Sequence, residues 1–285
     1  MIVVTGASTG MGAASARELA GRGFHVLAGV RRERDGEALR ADGVEPVLLD
    51  ITDSAQIAAL AARVDADPRP LLALVNNAGI AVNAPVEALP MDEWRRQFDV
   101  NLFGHIEVTQ ALLPALLRSR GRVVNISSIG GKVALATYGA YAGTKFALEA
   151  VSDALRRELA PHGVQVVVVE PGGVQTEMAA RGVETATRLA SGMSAAQRER
   201  YGALMQAVMS HAAAFTAGGV SAGAAARVIA RAVTDRRPRT RYTIGRDAAV
   251  MTRLTRVLPD RVLDRVVAAD LRKHFPSSEG VPSRG

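Results

Sequence analysis

The sequence predicts an α/β protein built as one doubly wound domain, with a mostly parallel sheet of seven strands covered by helices on both faces. Three observations carry that reading. Short β-branched runs alternate with longer helical patterns from residue 2 to about 177, the signature of strand–helix–strand units. The runs are continuously apolar rather than alternating, as strands buried on both faces require. No Pro/Gly/Ser linker, repeat or break in composition divides the chain before about residue 178. With 285 residues, 48% of them hydrophobic, the chain can bury one large core.

In order, the predicted strands are IVVT (2–5), HVLAGV (25–30), EPVLL (45–49), LLALVN (71–76), RVVNIS (122–127) and VQVVVVE (164–170), with a weaker seventh at RYTIG (241–245). Helical patterns lie between them at 12–21, 53–64, 92–119 and 141–160. Residues 178–218 break the rhythm. They are Ala-rich, hold four of the eight methionines (178, 193, 205 and 209) and contain no strand pattern. Tyr201, Leu204, Met205 and Val208 recur there at i, i+3, i+4 and i+7, one apolar helical face. An insertion after the sixth strand lies beyond the carboxyl ends of the strands, where such sheets bind ligands. Its methionines suit a movable lid over an apolar substrate.

Composition excludes several classes of chemistry. There is no cysteine, so disulfides, thiolate metal sites and thiol nucleophiles are ruled out. His25, His105, His162, His211 and His274 never fall at ligand spacing, so no metal site is expected. The opening MIVVTGAS leaves no room for a secretory or transit peptide, and no window is expected to hold the roughly 18 apolar residues of a membrane span. A soluble, cytoplasmic protein is the expectation. The net charge of +7 sits wholly in residues 236–285, which hold 12 Lys+Arg against 5 Asp+Glu, while residues 1–235 hold 23 of each. No aromatics are interleaved for base stacking, so no nucleic-acid partner is expected. Within this basic extension, from about 246 to 285, Leu254, Val257, Leu258, Val262 and Val266 fall near helical spacing with Arg between them. An interfacial helix reads this way, but Pro259 interrupts it, and packing on the domain or on a partner subunit is the expectation.

The turn TGASTGMG (5–12) closes the first strand and opens the first helix, with Gly6, Gly10 and Gly12 spaced G-x-x-x-G-x-G around Ser8, Thr9 and Met11. Backbone amides at a helix N-terminus, with no Cβ in the way, make an anion site suited to pyrophosphate. The second strand ends AGVRRERD, so Arg31 and Arg32 stand where an NAD site would place an acid on the ribose hydroxyls. An Arg fork matches a 2′-phosphate, which makes NADP(H) the expected cofactor rather than NAD(H).

Lys145 is one of three lysines in a chain that writes its other positive charges as Arg. In YGAYAGTK (138–145) Tyr141 lies at i−4 from it, about 6 Å along a helix axis, while Tyr138 lies two turns and about 10 Å away. A phenol works as an acid–base near neutrality only beside a cation, so Tyr141 is the expected partner of Lys145.

TGASTGMG (5–12), Asp50 after the third strand, NNAG (76–79), DVNLFG (99–104), NISS (125–128), YAGTK (141–145) and PGGVQT (171–176) occur in this order. On these motifs the chain resembles the single-domain short-chain dehydrogenase/reductase family from residue 2 to about 177. The resemblance implies a Rossmann-type fold and hydride transfer between nicotinamide C4 and a carbonyl or secondary alcohol. It implies Tyr141 as acid–base, with Lys145 lowering its pKa and hydrogen-bonding the nicotinamide ribose. Ser128, thirteen residues before Tyr141, polarises the substrate oxygen; Ser127 faces the other way along the strand, so only one of the two points into the site. Asn101 holds a water on the proton relay. Asp50 accepts from the adenine amino group with Ile51 beside it; Asn76, Asn77, Ala78 and Gly79 line the end of the fourth strand; Pro171, Gly172, Val174 and Thr176 meet the nicotinamide carboxamide. The wording is most similar to members acting on steroids, retinoids or other lipophilic ketones and alcohols, assembled as homodimers or homotetramers through helices 92–119 and 141–160. The alternative is an NADP-binding regulatory or scaffold protein without turnover, against which the complete Ser–Tyr–Lys–Asn set counts.

Overall fold

A computed structural model describes residues 1–276. Its main sheet holds β1 (Ile2–Val4), β2 (Val26–Val30), β3 (Val44–Leu48), β4 (Ala73–Asn76), β5 (Arg122–Ile126), β6 (Gln165–Pro171) and β9 (Arg241–Ile244), in the order β3-β2-β1-β4-β5-β6-β9. Every neighbouring pair is parallel, including the seventh strand, where Val168 stands opposite Arg241.

The continuous apolar runs have a direct structural reason. Successive strand residues point to opposite faces, and both faces are covered. Ile2 and Val4, Ala73 and Val75, Val124 and Val167 enter one core with α1 (Gly10–Gly21) and α9 (Ala222–Thr234). Val3, Leu74, Val123 and Val166 enter the other, with α3 (Ser54–Asp65) and α5 (Gly104–Ser119). Each fully buried Val or Leu contributes roughly 1.5–3 kcal/mol. At the start of β5 the buried Arg122 closes α9: its guanidinium donates to Ala232 O at 2.5 Å, Val233 O at 2.6 Å and Asp235 O at 2.8 Å. These are carbonyls that a helix C-terminus leaves unpaired, and they carry the negative end of its dipole.

The remaining helices are α2 (Glu33–Glu37), α4 (Met91–Phe98), α6 (Gly139–Leu159), α7 (Glu177–Ser191), α8 (Ala195–Ala217), α10 (Arg246–Val257) and α11 (Asp260–Arg272). The helix expected over 92–119 is interrupted: α4 and α5 are joined by a π-helical turn, Asp99–Phe103. The expectation that no window could span a membrane also needs correction. Met91–Ser119 is long and apolar enough by length and composition. Its Val108, Leu112 and Leu116 are nonetheless buried in the second core, which accounts for their apolar character.

The segment expected as a lid is the hairpin α7–α8. A capping box between Ser194 and Gln197 starts α8. A short parallel pair, β7 (Val174–Gln175) with β8 (Val220–Ser221), ties the two ends of the hairpin together. Met205 and Val208 of the expected apolar face are buried, whereas Tyr201 and Leu204 are half-exposed. Pro259 divides the tail pattern into α10 and α11, and α11 packs on α8. Of the basic extension, residues 277–285 lie outside the described residues.

Candidate active site

The glycine turn is held by its neighbours before it holds anything else. Gly6 and Gly10 adopt φ of +63° and +57°, and a Cβ on Gly6 would lie 2.6 Å from Ala78 Cα. A Cβ on Gly12 would collide with the Gly6 carbonyl oxygen. Asn77 Nδ2 donates to Thr5 O at 2.9 Å and Gly6 O at 3.1 Å, while Thr5 Oγ1 accepts from the amides of Asn77 and Ala78 at 3.0 and 3.1 Å. Thr9, the N-cap of α1, makes no side-chain cap bond, so the first-turn amides of this twelve-residue helix face outward as donors. Such a cradle fits the pyrophosphate of a nicotinamide dinucleotide.

The other expected contacts separate. Asn76 is fully buried and bonds Thr109 Oγ1 and Asn125 Oδ1, each at 2.9 Å, so its side chain belongs to the interior while Asn77 and Gly79 line the cleft. Asp50 accepts from Thr52 N at 3.0 Å and Thr52 Oγ1 at 2.7 Å through one carboxylate oxygen, and Ile51 behind it is buried. The Arg31–Arg32 pair lies exposed past β2. Arg32 already grips Asp35, Nε to Oδ2 at 2.8 Å and Nη2 to Oδ1 at 3.2 Å, while Arg31 has no carboxylate partner among the described residues.

A cavity of about 620 Å³ runs from Met11 and Thr176 past Ser128, Tyr141 and Lys145 to Met205 and Met209 under the α7–α8 hairpin. Pro171, Gly172 and Val174 line it as well. Tyr141 and Lys145 sit one turn apart on α6, with Lys145 Nζ 5.9 Å from the Tyr141 ring centre and donating to Ile126 O at 2.9 Å. A Cβ on Gly130 would lie 3.0 Å from Tyr141 Cε1 and 3.4 Å from Ser128 Oγ, so the missing side chain lets phenol and hydroxyl converge. Ser128 is half-buried beside Tyr141, and its Oγ accepts from Gly130 N at 3.0 Å. Ser127 Oγ is buried toward Gly131.

Electrostatics at the site differ from the expectation in one respect. Burial raises the Tyr141 pKa above the ordinary phenol value, and hydrogen bonding to Ser128 offsets this only in part. With burial the larger effect, the phenol holds its proton near neutrality. Burial lowers Lys145 to about 8, opposed by the charge of Glu149. Tyr138, edge-on to Tyr141 at 6.2 Å between ring centres, is pushed up to about 12 by burial. His105 from α5 falls to about 3, through burial first and the Lys145 charge second; its Nε2 lies 2.7 Å from Ala78 O. The ring is therefore neutral and donates from Nε2 to that carbonyl.

The Asn101 side chain makes three hydrogen bonds. Nδ2 donates to Ile80 O at 2.8 Å and Thr144 Oγ1 at 3.2 Å, and Oδ1 accepts from Ile80 N at 2.8 Å. The π-helical turn aims Asn101 at Ile80, and the side chain ties that strand end to α6. Asp247 at the start of α10 is a residue that the motifs did not reveal. Its Oδ2 accepts from Gly173 N at 2.8 Å and fixes the 171–173 loop, where a Cβ on Gly172 would collide with it.

A sequence model of the short chain dehydrogenase family matches residues 1–187. Retinol dehydrogenase 7 of Mus musculus is 44% identical over 182 residues; the match covers 62% of this chain and only 57% of that relative's length. Retinol dehydrogenase 5 of Mus musculus is 36% identical over 291 residues, covering 93% of this chain and 87% of that one. A short chain dehydrogenase from Burkholderia cenocepacia J2315, solved in complex with NADP, superposes with a TM-score of 0.72 at 26% identity over 93% of this chain and 95% of its own. With the parallel sheet, the glycine turn and the Tyr141–Lys145 helix in place, the chain belongs to the short-chain dehydrogenase family.

Proposed function

We propose that the protein is an NADP(H)-dependent oxidoreductase interconverting a lipophilic carbonyl compound and its secondary or primary alcohol, with a retinoid- or steroid-like substrate. The observation that carries this is the placing of Ser128, Tyr141 and Lys145 on the floor of one mostly apolar cavity whose roof is the methionine-bearing hairpin α7–α8. Retinol dehydrogenases among the relatives support the substrate class. The cofactor, when bound, supplies or accepts the hydride. Tyr141, held neutral by burial, delivers a proton to the substrate oxygen in the reducing direction and takes it back in the other. Ser128 donates a hydrogen bond to the same oxygen as charge gathers there. Lys145 stabilises the phenolate left behind, and Asn101 holds the strand end and α6 in register. The lid excludes water. Preference for the 2′-phosphate rests on Arg31, which has no carboxylate partner among the described residues, and on the lack of an acid at the end of β2. Exposed Phe103, Leu117 and Phe146 on the π-helical turn, α5 and α6 support a homodimer or homotetramer through these helices.

NADPH oxidation followed at 340 nm across retinal, steroid ketones, aliphatic ketones and short sugars tests the reading. Turnover is expected with a lipophilic class, lost in Tyr141→Phe with NADPH binding intact and kept in Tyr138→Phe. Undiminished turnover in Tyr141→Phe refutes the assignment, and a lower KM for NADH than for NADPH refutes the cofactor preference.

A further inference from the structure

The Tyr141–Lys145 stripe of α6 continues inward by one more turn to Glu149, as deeply buried as Lys145, at 5% and 4% exposure. Glu149 Oε2 accepts from Lys132 Nζ at 2.6 Å and from Arg241 Nη2 at 2.9 Å, while Oε1 is buried without a hydrogen-bond partner among the described residues. Glu170, next to the end of β6 and 1% exposed, completes the cluster, with Oε1 3.4 Å from Lys132 Nζ and 3.3 Å from Arg241 Nε. Two carboxylates and two cations thus converge from α6, the turn after β5, β6 and β9. Gly131 makes room for them: a Cβ there would lie 3.1 Å from both Glu149 Cγ and the Lys145 carbonyl oxygen, and 2.8 Å from Ser127 Oγ. Buried ion clusters add little net stability, because desolvation offsets the Coulomb gain. Stability alone therefore does not explain a carboxylate one turn behind the lysine of the site.

We propose that Glu149 is a positioning residue for the proposed reaction: its carboxylate, fixed by Lys132 and Arg241, keeps the Lys145 ammonium charged inside the apolar cleft. The groups facing Lys145 leave this task to Glu149. His105 from α5 is neutral, Tyr141 on α6 is neutral, and Lys132, Glu170 and Arg241 lie beyond Glu149, where Lys132 and Arg241 oppose the charges of Glu149 and Glu170. Asp153, farther along α6, bonds Arg241 and Arg156. Glu149 is the carboxylate whose field reaches Lys145. The consequence for turnover rests on the oxidoreductase reading; the charge state of Lys145 does not.

The chain contains only Lys132, Lys145 and Lys273, so lysine labelled with ¹³C at Cε gives three resonances in the cofactor-free protein, assigned with Lys132→Gln and Lys273→Gln. Lys145 is expected to titrate near 8 in the wild type. In Glu149→Gln its midpoint falls by on the order of one pH unit. Glu149→Asp, which keeps the charge, restores it. Glu170→Gln disturbs the same cluster and leaves the Lys145 midpoint in place. The double variant Lys132→Gln/Glu149→Gln, which leaves no lysine stranded opposite an amide, gives the lowered midpoint even if the single variant does not fold. A wild-type midpoint in both Glu149→Gln variants, or an equal fall in Glu170→Gln, overturns the proposal. In turnover, the high-pH limb of kcat moves down in Glu149→Gln by the same interval. A shifted lysine in a protein that turns over no carbonyl sinks the reading of the reaction and leaves the role of Glu149 standing.

Discussion

Replacing Lys145 by Met separates what the site needs from what the fold prefers. Met keeps the length and volume of the stem and removes the ammonium. In the unfolded chain the lysine holds its proton up to about 10.5; in the folded protein, burial releases it near 8. Between these pH values the unfolded state binds more protons, so stability rises with pH across that window. Below pH 8 the full penalty is present, and a fall of roughly 2.5 pH units corresponds to about 3 kcal/mol. The substitution also removes the hydrogen bond to Ile126 O, worth about 1 kcal/mol. Lys145→Met should therefore be more stable than the wild type by about 2 kcal/mol at pH 7, and less stable by about 1 kcal/mol above pH 10.5. Urea unfolding of both proteins at the two pH values measures the differences directly. A variant less stable than the wild type at pH 7, or the same difference at both pH values, refutes the reasoning; loss of turnover is expected either way and decides nothing.

Three further outcomes follow from individual contacts. His105 protonates near 6.5 when unfolded and near 3 when folded, so the protein loses stability as pH falls through that range, by up to about 5 kcal/mol; His105→Gln should flatten the acid limb of a urea-midpoint profile. Arg122→Met leaves Ala232 O, Val233 O and Asp235 O without their donor and should lower unfolding stability by about 3 kcal/mol with little change in KM. Asp247→Ala frees the 171–173 loop and should raise KM for the nicotinamide cofactor roughly tenfold, about 1.4 kcal/mol, while the denaturation midpoint moves little.

The sheet was legible because its inner strands β2, β1, β4, β5 and β6 are buried on both faces, and β-branched runs say so without help from the rest of the chain, whereas the edge strands β3 and β9 are only partly buried. The Tyr141–Lys145 pairing was legible for a similar reason, since i, i+4 spacing is local geometry. Other features needed contacts that spacing does not encode. The π-helical turn at Asp99–Phe103 is invisible because the apolar pattern runs on through it, and Asn101 within it bonds Ile80, 21 residues away. Asp247 meets Gly173 across 74 residues and Arg241 meets Glu149 across 92. The raised Tyr141 pKa depends on burial, which the spacing of a cation does not reveal. One sign was available and passed over: in AGVRRERD, Arg32 and Asp35 stand at i, i+3, the spacing at which a short helix pairs opposite charges.

A helix laid on a sheet ordinarily buries an apolar stripe, and α6 does so at Leu159, which joins the second core. Its central turns bury the polar Thr144, Lys145, Glu149 and Ser152 beside Leu148. Each is held from below. Thr144 Oγ1 accepts from Asn101 Nδ2 and donates to Tyr141 O, and Ser152 Oγ accepts from Asn125 Nδ2, whose own Oδ1 accepts from Asn76. The bonds make a polar seam from α5 through β4 and β5 to α6, with a continuous hydrophobic core on either face of the sheet. A seam of this kind, in which Asn76 Oδ1 and Glu149 Oε1 have no hydrogen-bond partner among the described residues, contributes little beyond what apolar side chains of the same shape would, and its one cation lowers stability outright. What it gains is rigidity at the point where an ammonium and a phenol must stay one helical turn apart in a nearly dry cleft. The cores supply the surplus stability that lets the seam exist. Filling it with apolar residues should therefore give a more stable protein that no longer moves a proton, and Lys145→Met is the smallest step in that direction.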